Sequence, residues 1–190
     1  MLSSERVRRE IALRGAVLAG DKAAWRTLYD GAHAELWAYV VWRCAGLRDL
    51  AEDITQETWL VAVRRMRDFD PERGRFAAWL RGIAALTIRN HFRARRLRMT
   101  QSLGERELTA PAKDADPAEL IARALVELPE RYEAALRAKY LDALSVAQIA
   151  EEWGETPKAI ESLLTRAREE FRIAYEKLAG NDVNIREIKS

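Results

Sequence analysis

The sequence predicts an all-α protein: two small helical domains, a helical bundle and a helix-turn-helix domain, joined by a flexible linker. Three observations carry that expectation. Ala, Leu, Glu and Arg dominate, and the 190 residues hold only 9 glycines and 5 prolines, a composition that favours helix over sheet. Apolar residues recur at helical spacing with no strand-like alternation and no tandem repeat. Helix-start signals (Asp-Pro, Ser-x-x-Gln, Thr-Pro) punctuate the second half at short intervals.

Taken in order, MLSSERVRREIALRGAVLAG places arginines ahead of apolar residues, but Arg14 and Gly15 interrupt the apolar stretch. No run approaches the roughly 18 apolar residues of a membrane span, so this is a short amphipathic helix and no membrane insertion is expected. Gly20-Asp21 opens a helix to about Gly46, with Trp25, Leu28, Leu36, Tyr39 and Val40 near helical spacing. Asp49 reads as the next N-cap, with Glu52 completing a capping box. The helix it starts, DLAEDITQETWLVAVRRMRDF, puts Leu50, Ile54, Thr58 and Val61 on one face and Asp49, Glu52, Asp53, Gln56, Glu57 and Leu60 on another.

Asp68 to Gly74 is a loop by its Asp-Pro and Gly signals. Phe76 to about Arg98 is a long helix with Phe76, Leu80, Ile83 and Thr87 facing inward and a basic end, RNHFRARRLR. Periodicity is lost over 99–116, which reads as linker. Helix restarts at Asp116-Pro117, Leu128-Pro129, Ser145 with Gln148, and Thr156-Pro157. About four helices, a linker and four shorter helices follow from this. The expected domains are 1–98 and 117–180, with a tail over 181–190.

Charge is distributed unevenly. Between Arg64 and Arg98 eleven arginines face three acids, a local +8 inside a chain of net +2, so the remainder carries −6. A basic block in an otherwise acidic protein is the footprint of a polyanion-binding surface, although arginines on a helix can also be a merely solvated face. The single cysteine, Cys44, has no internal disulfide partner and reads as a small buried hydrophobe in a cytoplasmic protein.

VAQIAEEWGETPKAIESLL has the pattern of a helix-turn-helix. Two helices crossing steeply through a tight turn need a small residue at their contact, a turn residue tolerant of unusual backbone angles, and a small apolar core. Ala150, Gly154, and Ile149 with Ile160 and Leu163 supply these in turn. Lys158, Glu161, Ser162, Thr165 and Arg166 are left facing outward, where a recognition helix reads the major groove.

Both halves resemble RNA polymerase sigma factors of the extracytoplasmic-function (ECF) type, in the sigma-70 superfamily. DLAEDITQETWLVAVRRM followed by FAAWLRGIAALTIRNHFRARR is similar to region 2. ALVELPERYEAALRAKYLDALSVAQIAEEWGETPKAIESLLTRAR is similar to region 4. The resemblance implies a transcription initiation factor that docks on the largest-subunit coiled coil of core RNA polymerase through Asp53, Gln56, Glu57 and Leu60. It implies minus-ten promoter DNA, with one base flipped into the loop, held by Asp68, Phe69, Arg73, Arg75, Trp79, Arg89, Asn90, Arg93, Arg95 and Arg96. It assigns the minus-thirty-five element to Lys158, Glu161, Ser162, Thr165 and Arg166, and rests that domain on a flap of the second large subunit. An anti-sigma factor is a further partner it admits. Family members often carry Asn where this chain has Leu86, Asp where it has Asn90, and a base and an arginine where it has Glu161 and Leu163.

Three other classes fit less well. A polymerase-independent helix-turn-helix regulator would need an effector or dimerisation domain, which 1–98 does not resemble. An enzyme would need a site, and there is no phosphate-cradling glycine loop, nucleophile motif, Cys/His zinc spacing or Glu-x-x-His pair; His33 and His91 stand apart. No cofactor or metal is expected. A helical adaptor would leave the +8 block without a purpose.

Overall fold

The computed structural model describes residues 2–103 and 116–180, with side chains over 4–98 and 116–180. Most of the expected linker and the whole of the 181–190 tail lie outside the described residues. In order, the elements are α1 (Leu2–Leu18), α2 (Lys22–Arg43), α3 (Arg48–Arg64), a 3-10 turn (Met66–Asp68), α4 (Phe76–Leu103), α5 (Pro117–Glu127), α6 (Glu130–Tyr140), α7 (Val146–Trp153) and α8 (Pro157–Leu178). There is no strand among the described residues. Two expectations need correcting. α4 runs past Arg98 into the expected linker, and α8, at 22 residues, equals α2 in length.

Contacts divide the chain into two compact units, one of residues 1–42 and 46–91, the other of 43–45 and 92–190. The first buries Leu28, Leu36, Tyr39 and Val40 of α2 against Ile54 and Ala62 of α3 and Leu80, Ala84 and Ile88 of α4. α2 starts where the Asp21 carboxylate accepts hydrogen bonds from the Ala23 and Ala24 amides, at 2.7 and 3.2 Å.

The expected Asp49 capping box is absent. Leu47 occupies the cap position with no side-chain hydrogen bond, and Asp49 sits inside the first turn. There its carboxylate still opposes the positive end of the helix dipole. The inner face of α3 is also rotated from expectation. Ile54 and Thr58 are buried, but Ala51, Thr55, Trp59 and Ala62 complete the face, while Leu50 and Val61 are only half-buried. The buried Thr58 hydroxyl donates to the Ile54 carbonyl at 2.7 Å, so it costs little to enclose.

Cys44 is fully buried, and desolvation pushes its thiol up to about 11 against a weaker pull downward from the Arg43 charge. At pH 8 about one thiol in a thousand would be ionised. We expect the folded protein to resist a thiol-specific chromogenic reagent at pH 8 and the urea-unfolded protein to react at once. Comparable reaction of both would mean that Cys44 is reachable in the fold.

The second unit is organised around α8. Asp116 caps α5 through the Ala118 amide, with Pro117 at the first helical position. At α6 the expectation is off by one residue: Pro129 is itself the cap and the helix begins at Glu130. α7 has the predicted capping box, Ser145 with Gln148, and Thr156 caps α8 through the Ala159 amide. Leu120, Leu125, Leu136, Ile149, Ile160, Leu163 and Leu164 form the core.

Candidate functional site

Asp53, Gln56, Glu57 and Leu60 are all exposed, and their spacing places them on one stripe of α3. Asp53 and Glu57 make no ion pair among the described residues. Leu60 is 51% exposed and Val63 56%, so the stripe ends in uncovered apolar surface. Beside it lies a groove of about 580 Å³ between α2 and α3. Its α2 wall is Trp25, Tyr29, His33 and Trp37; Gln56, Leu60 and Val63 line the α3 side. Trp59 underlies it, with ring centroids 6.0 Å from Trp25 and 4.6 Å from Tyr29. Helical spacing marks Trp25 as an apolar position of α2 but does not by itself reveal the groove. The signal was there: aromatic rings at 25, 29, 33 and 37 recur every fourth residue.

The loop after α3 is held by its own charges. Asp68 pairs with Arg65 at 2.7 Å, and Asp70 pairs with Arg73 at 3.4 Å while accepting from the Glu72 amide at 3.0 Å. Arg75 pairs with Glu35 at 3.1 Å, and Arg81 pairs with the same carboxylate. From α1, Arg14 donates to the Arg67 carbonyl at 2.8 Å. Phe69, expected among the minus-ten residues, is buried. It is 1% exposed, with ring centroids 5.2 Å from Phe76 and 5.4 Å from Trp79. A side chain so enclosed props the loop from beneath. Trp79, half-buried on the same cluster, keeps a partly open face.

Along α4, Leu86, Arg89, Asn90 and Arg93 are exposed at helical spacing and so share one face. Arg89 and Arg93 make no ion pair among the described residues. Arg96 is exposed as well. Arg95 differs from them, because its guanidinium pairs with Glu119 at 2.8 Å.

In the second unit Gly154 takes the left-handed angle (φ 64°) that ends α7 and turns the chain into α8. Lys158, Glu161, Ser162, Thr165 and Arg166 are all exposed, opposite the buried Ile160, Leu163 and Leu164. Thr165 Oγ1 donates to the Glu161 carbonyl at 2.9 Å and Arg166 Nε to the Ser162 carbonyl at 3.3 Å. Leu163, at 4% exposure, is a core residue, so its difference from the common family arginine falls on packing and not on the outward face.

Comparison with known proteins places both halves. Residues 28–98 match the family model of sigma-70 region 2, and residues 118–171 match that of sigma-70 region 4. The ECF RNA polymerase sigma factor SigF of Caulobacter vibrioides is 32% identical over 169 residues, 88% of this chain and 93% of that protein. The chain belongs to the ECF sigma factors.

This sigma factor is also 30% identical over 168 residues to SigL of Mycobacterium tuberculosis, covering 84% of the chain and 93% of SigL. BldN of Streptomyces coelicolor is 32% identical over 157 residues, 78% of this chain, which spans 59% of the length of BldN. Among solved structures, an RsbN–BldN complex contains a chain similar at 26% identity and a TM-score of 0.37, covering 84% of this chain and 97% of that one. Membership makes the protein a transcription initiation factor and not a polymerase-independent regulator. No helix among the described residues is long and apolar enough to cross a membrane.

Proposed function

We propose that this sigma factor docks on core RNA polymerase through the Asp53–Gln56–Glu57–Leu60 stripe and the adjoining aromatic groove, and directs it to promoters with two separate DNA-reading surfaces. The observation that carries this reading is the stripe itself. Two carboxylates with no ion pair among the described residues stand beside exposed Leu60 and Val63 and a groove lined with tryptophan. A protein that only bound DNA would have no use for such a face. It suits a basic and apolar coiled coil on the largest subunit of the polymerase.

The loop from Asp68 to Arg75, with Trp79, then captures a flipped minus-ten base, and Arg89, Asn90, Arg93 and Arg96 follow the separated strand. Unpairing a base costs a few kcal/mol, offset by contacts in its pocket. The outward face of α8 reads the minus-thirty-five element as duplex, while its domain rests on the flap of the second large subunit. In this reading the protein acts in the cytoplasm, has no turnover or cofactor of its own, and answers to control from outside the chain, such as an anti-sigma factor. Run-off transcription on a genomic library tests it: core polymerase with this chain should give discrete start sites that core polymerase alone does not. Identical transcripts with and without the chain would refute it.

Glu161 is the outlier on the reading face. Its carboxylate repels phosphate, but it can accept a hydrogen bond from the exocyclic amine of cytosine in the major groove. The contact that Thr165 makes is to the Glu161 carbonyl, which leaves the carboxylate itself uncommitted to that neighbour. We expect Glu161→Gln to lower discrimination at one minus-thirty-five base pair by roughly 1–3 kcal/mol and leave the others unchanged. A single-base substitution series is the check. Uniformly tighter binding on every sequence would show that Glu161 contributes only its charge.

A further inference from the structure

A second cavity, of about 400 Å³, opens between α1 and the loop that follows α3. It falls within the size range of small-molecule sites, roughly 300–1,000 Å³. Its loop side runs from Arg67 to Arg73; its α1 side is Ile11 and Arg14. These α1 residues precede the region 2 match, which starts at residue 28, so the match gives them no role.

The chemistry of the walls is complementary to a nucleobase. Ile11 is 47% exposed and gives an apolar surface for a ring to rest on. Arg14 commits one Nη2 donor to the Arg67 carbonyl, which fixes the guanidinium in place. Its Nε is buried without a partner and out of a ligand's reach, while Nη1 makes no hydrogen bond among the described residues and is the donor left for a ligand. Across the cavity Asp68 and Asp70 are occupied by Arg65 and Arg73, whereas Glu72 is exposed and makes no ion pair among the described residues. One wall therefore supplies a spare donor and the other a spare acceptor.

We propose that Arg14 and Ile11 complete the pocket that receives the flipped minus-ten base, with Arg14 as a specificity-determining residue. This rests on the reading that the loop captures a base. Arg14 donates to a ring nitrogen on the Watson–Crick edge, and Glu72 accepts from the adjacent exocyclic amine. Adenine and cytosine carry that pair of groups; thymine lacks the amine and is disfavoured. The alternative is that Arg14 only staples the loop through the Arg67 carbonyl.

The test uses holoenzyme assembled from the full chain and core polymerase, on fork-junction DNA carrying a promoter found by run-off transcription. Each unpaired minus-ten base is replaced in turn by an abasic sugar. With the native chain, one position should lose about tenfold or more in affinity, the scale of a captured base. With Arg14→Met the penalty at that position should largely vanish while the other positions keep theirs, and circular dichroism should stay unchanged. Arg14→Lys, which keeps the charge, should hold overall affinity closer to native yet still blur the choice between cytosine and thymine at that position.

Equal weakening on every template with the native abasic penalty retained would overturn the proposal and leave Arg14 as a staple. So would a native profile in Arg14→Met. If Glu72→Ala and Arg73→Ala alter the profile while Arg14→Met does not, base capture by the loop stands and the role of Arg14 falls. If no position of the native complex carries a penalty, base capture by the loop falls with it.

Discussion

Reversing both charges in Asp53→Arg/Glu57→Arg is expected to abolish co-elution with core RNA polymerase. The two carboxylates lie one helical turn apart, exposed, with no ion pair among the described residues, so an arriving basic surface meets both at once. Like charges brought together across an interface cost several kcal/mol, and even about 3 kcal/mol is more than a hundredfold in affinity. Because neither side chain is part of the core, helix content and melting behaviour should be preserved, which separates lost docking from lost folding. Trp37→Ala, on the opposite wall of the groove, should weaken co-elution less but in the same direction. Undiminished co-elution of the charge-reversed protein would remove α3 from the docking surface.

The second large effect is expected on DNA. Arg89→Ala/Arg93→Ala removes two exposed cations from one face of α4. If both meet phosphate, promoter affinity should fall by about 2 kcal/mol, near thirtyfold. The slope of log affinity against log salt should shrink by about 1.4, at roughly 0.7 per contact with a single strand. The loss should be the same for every sequence, because phosphate contacts carry no base information. Arg95 is an internal control: it is already paired with Glu119, so Arg95→Ala should move the slope less. An unchanged slope in the double variant would make the basic face a solvated one.

The comparison of Arg93 with Arg95 shows where reading the sequence stops. Both lie in the same arginine run, and no local pattern distinguishes them. What separates them is Glu119, more than twenty residues away, and only the fold brings it near. Phe69 makes the same point for apolar residues. In the sequence it is an aromatic in a polar loop, fit for stacking on a base; in the fold it lies beneath Phe76 and Trp79.

Local chemistry was far more legible. Ser145 with Gln148, Thr156 before Pro157, and Gly154 at a left-handed angle each fix a helix end through neighbours within four residues, and all appear as expected. Asp49 with Glu52 has the same spelling and failed, because α3 begins two residues earlier than that cap requires, at Arg48 after Leu47, and draws the carboxylate inside the helix. Helix existence was thus readable from periodicity, and inward faces only in part, since on α3 Ile54 and Thr58 are buried but Leu50 and Val61 are not. Partners across the fold, and the wall of aromatic rings on α2, depended on which helices meet.

Five of the six tryptophans, including Trp25 and Trp37 at the groove and Trp79 over the loop, fall in the first unit. The sixth, Trp153, stands at the end of α7, just before the turn into the recognition helix. The molecule therefore carries its own optical labels, sorted by unit. Changes in indole emission that survive Trp153→Phe must originate in the first unit, and those that vanish report on the helix-turn-helix. Events at the first unit and at the helix-turn-helix can in this way be followed separately on DNA, which carries no indole, in an otherwise unlabelled protein.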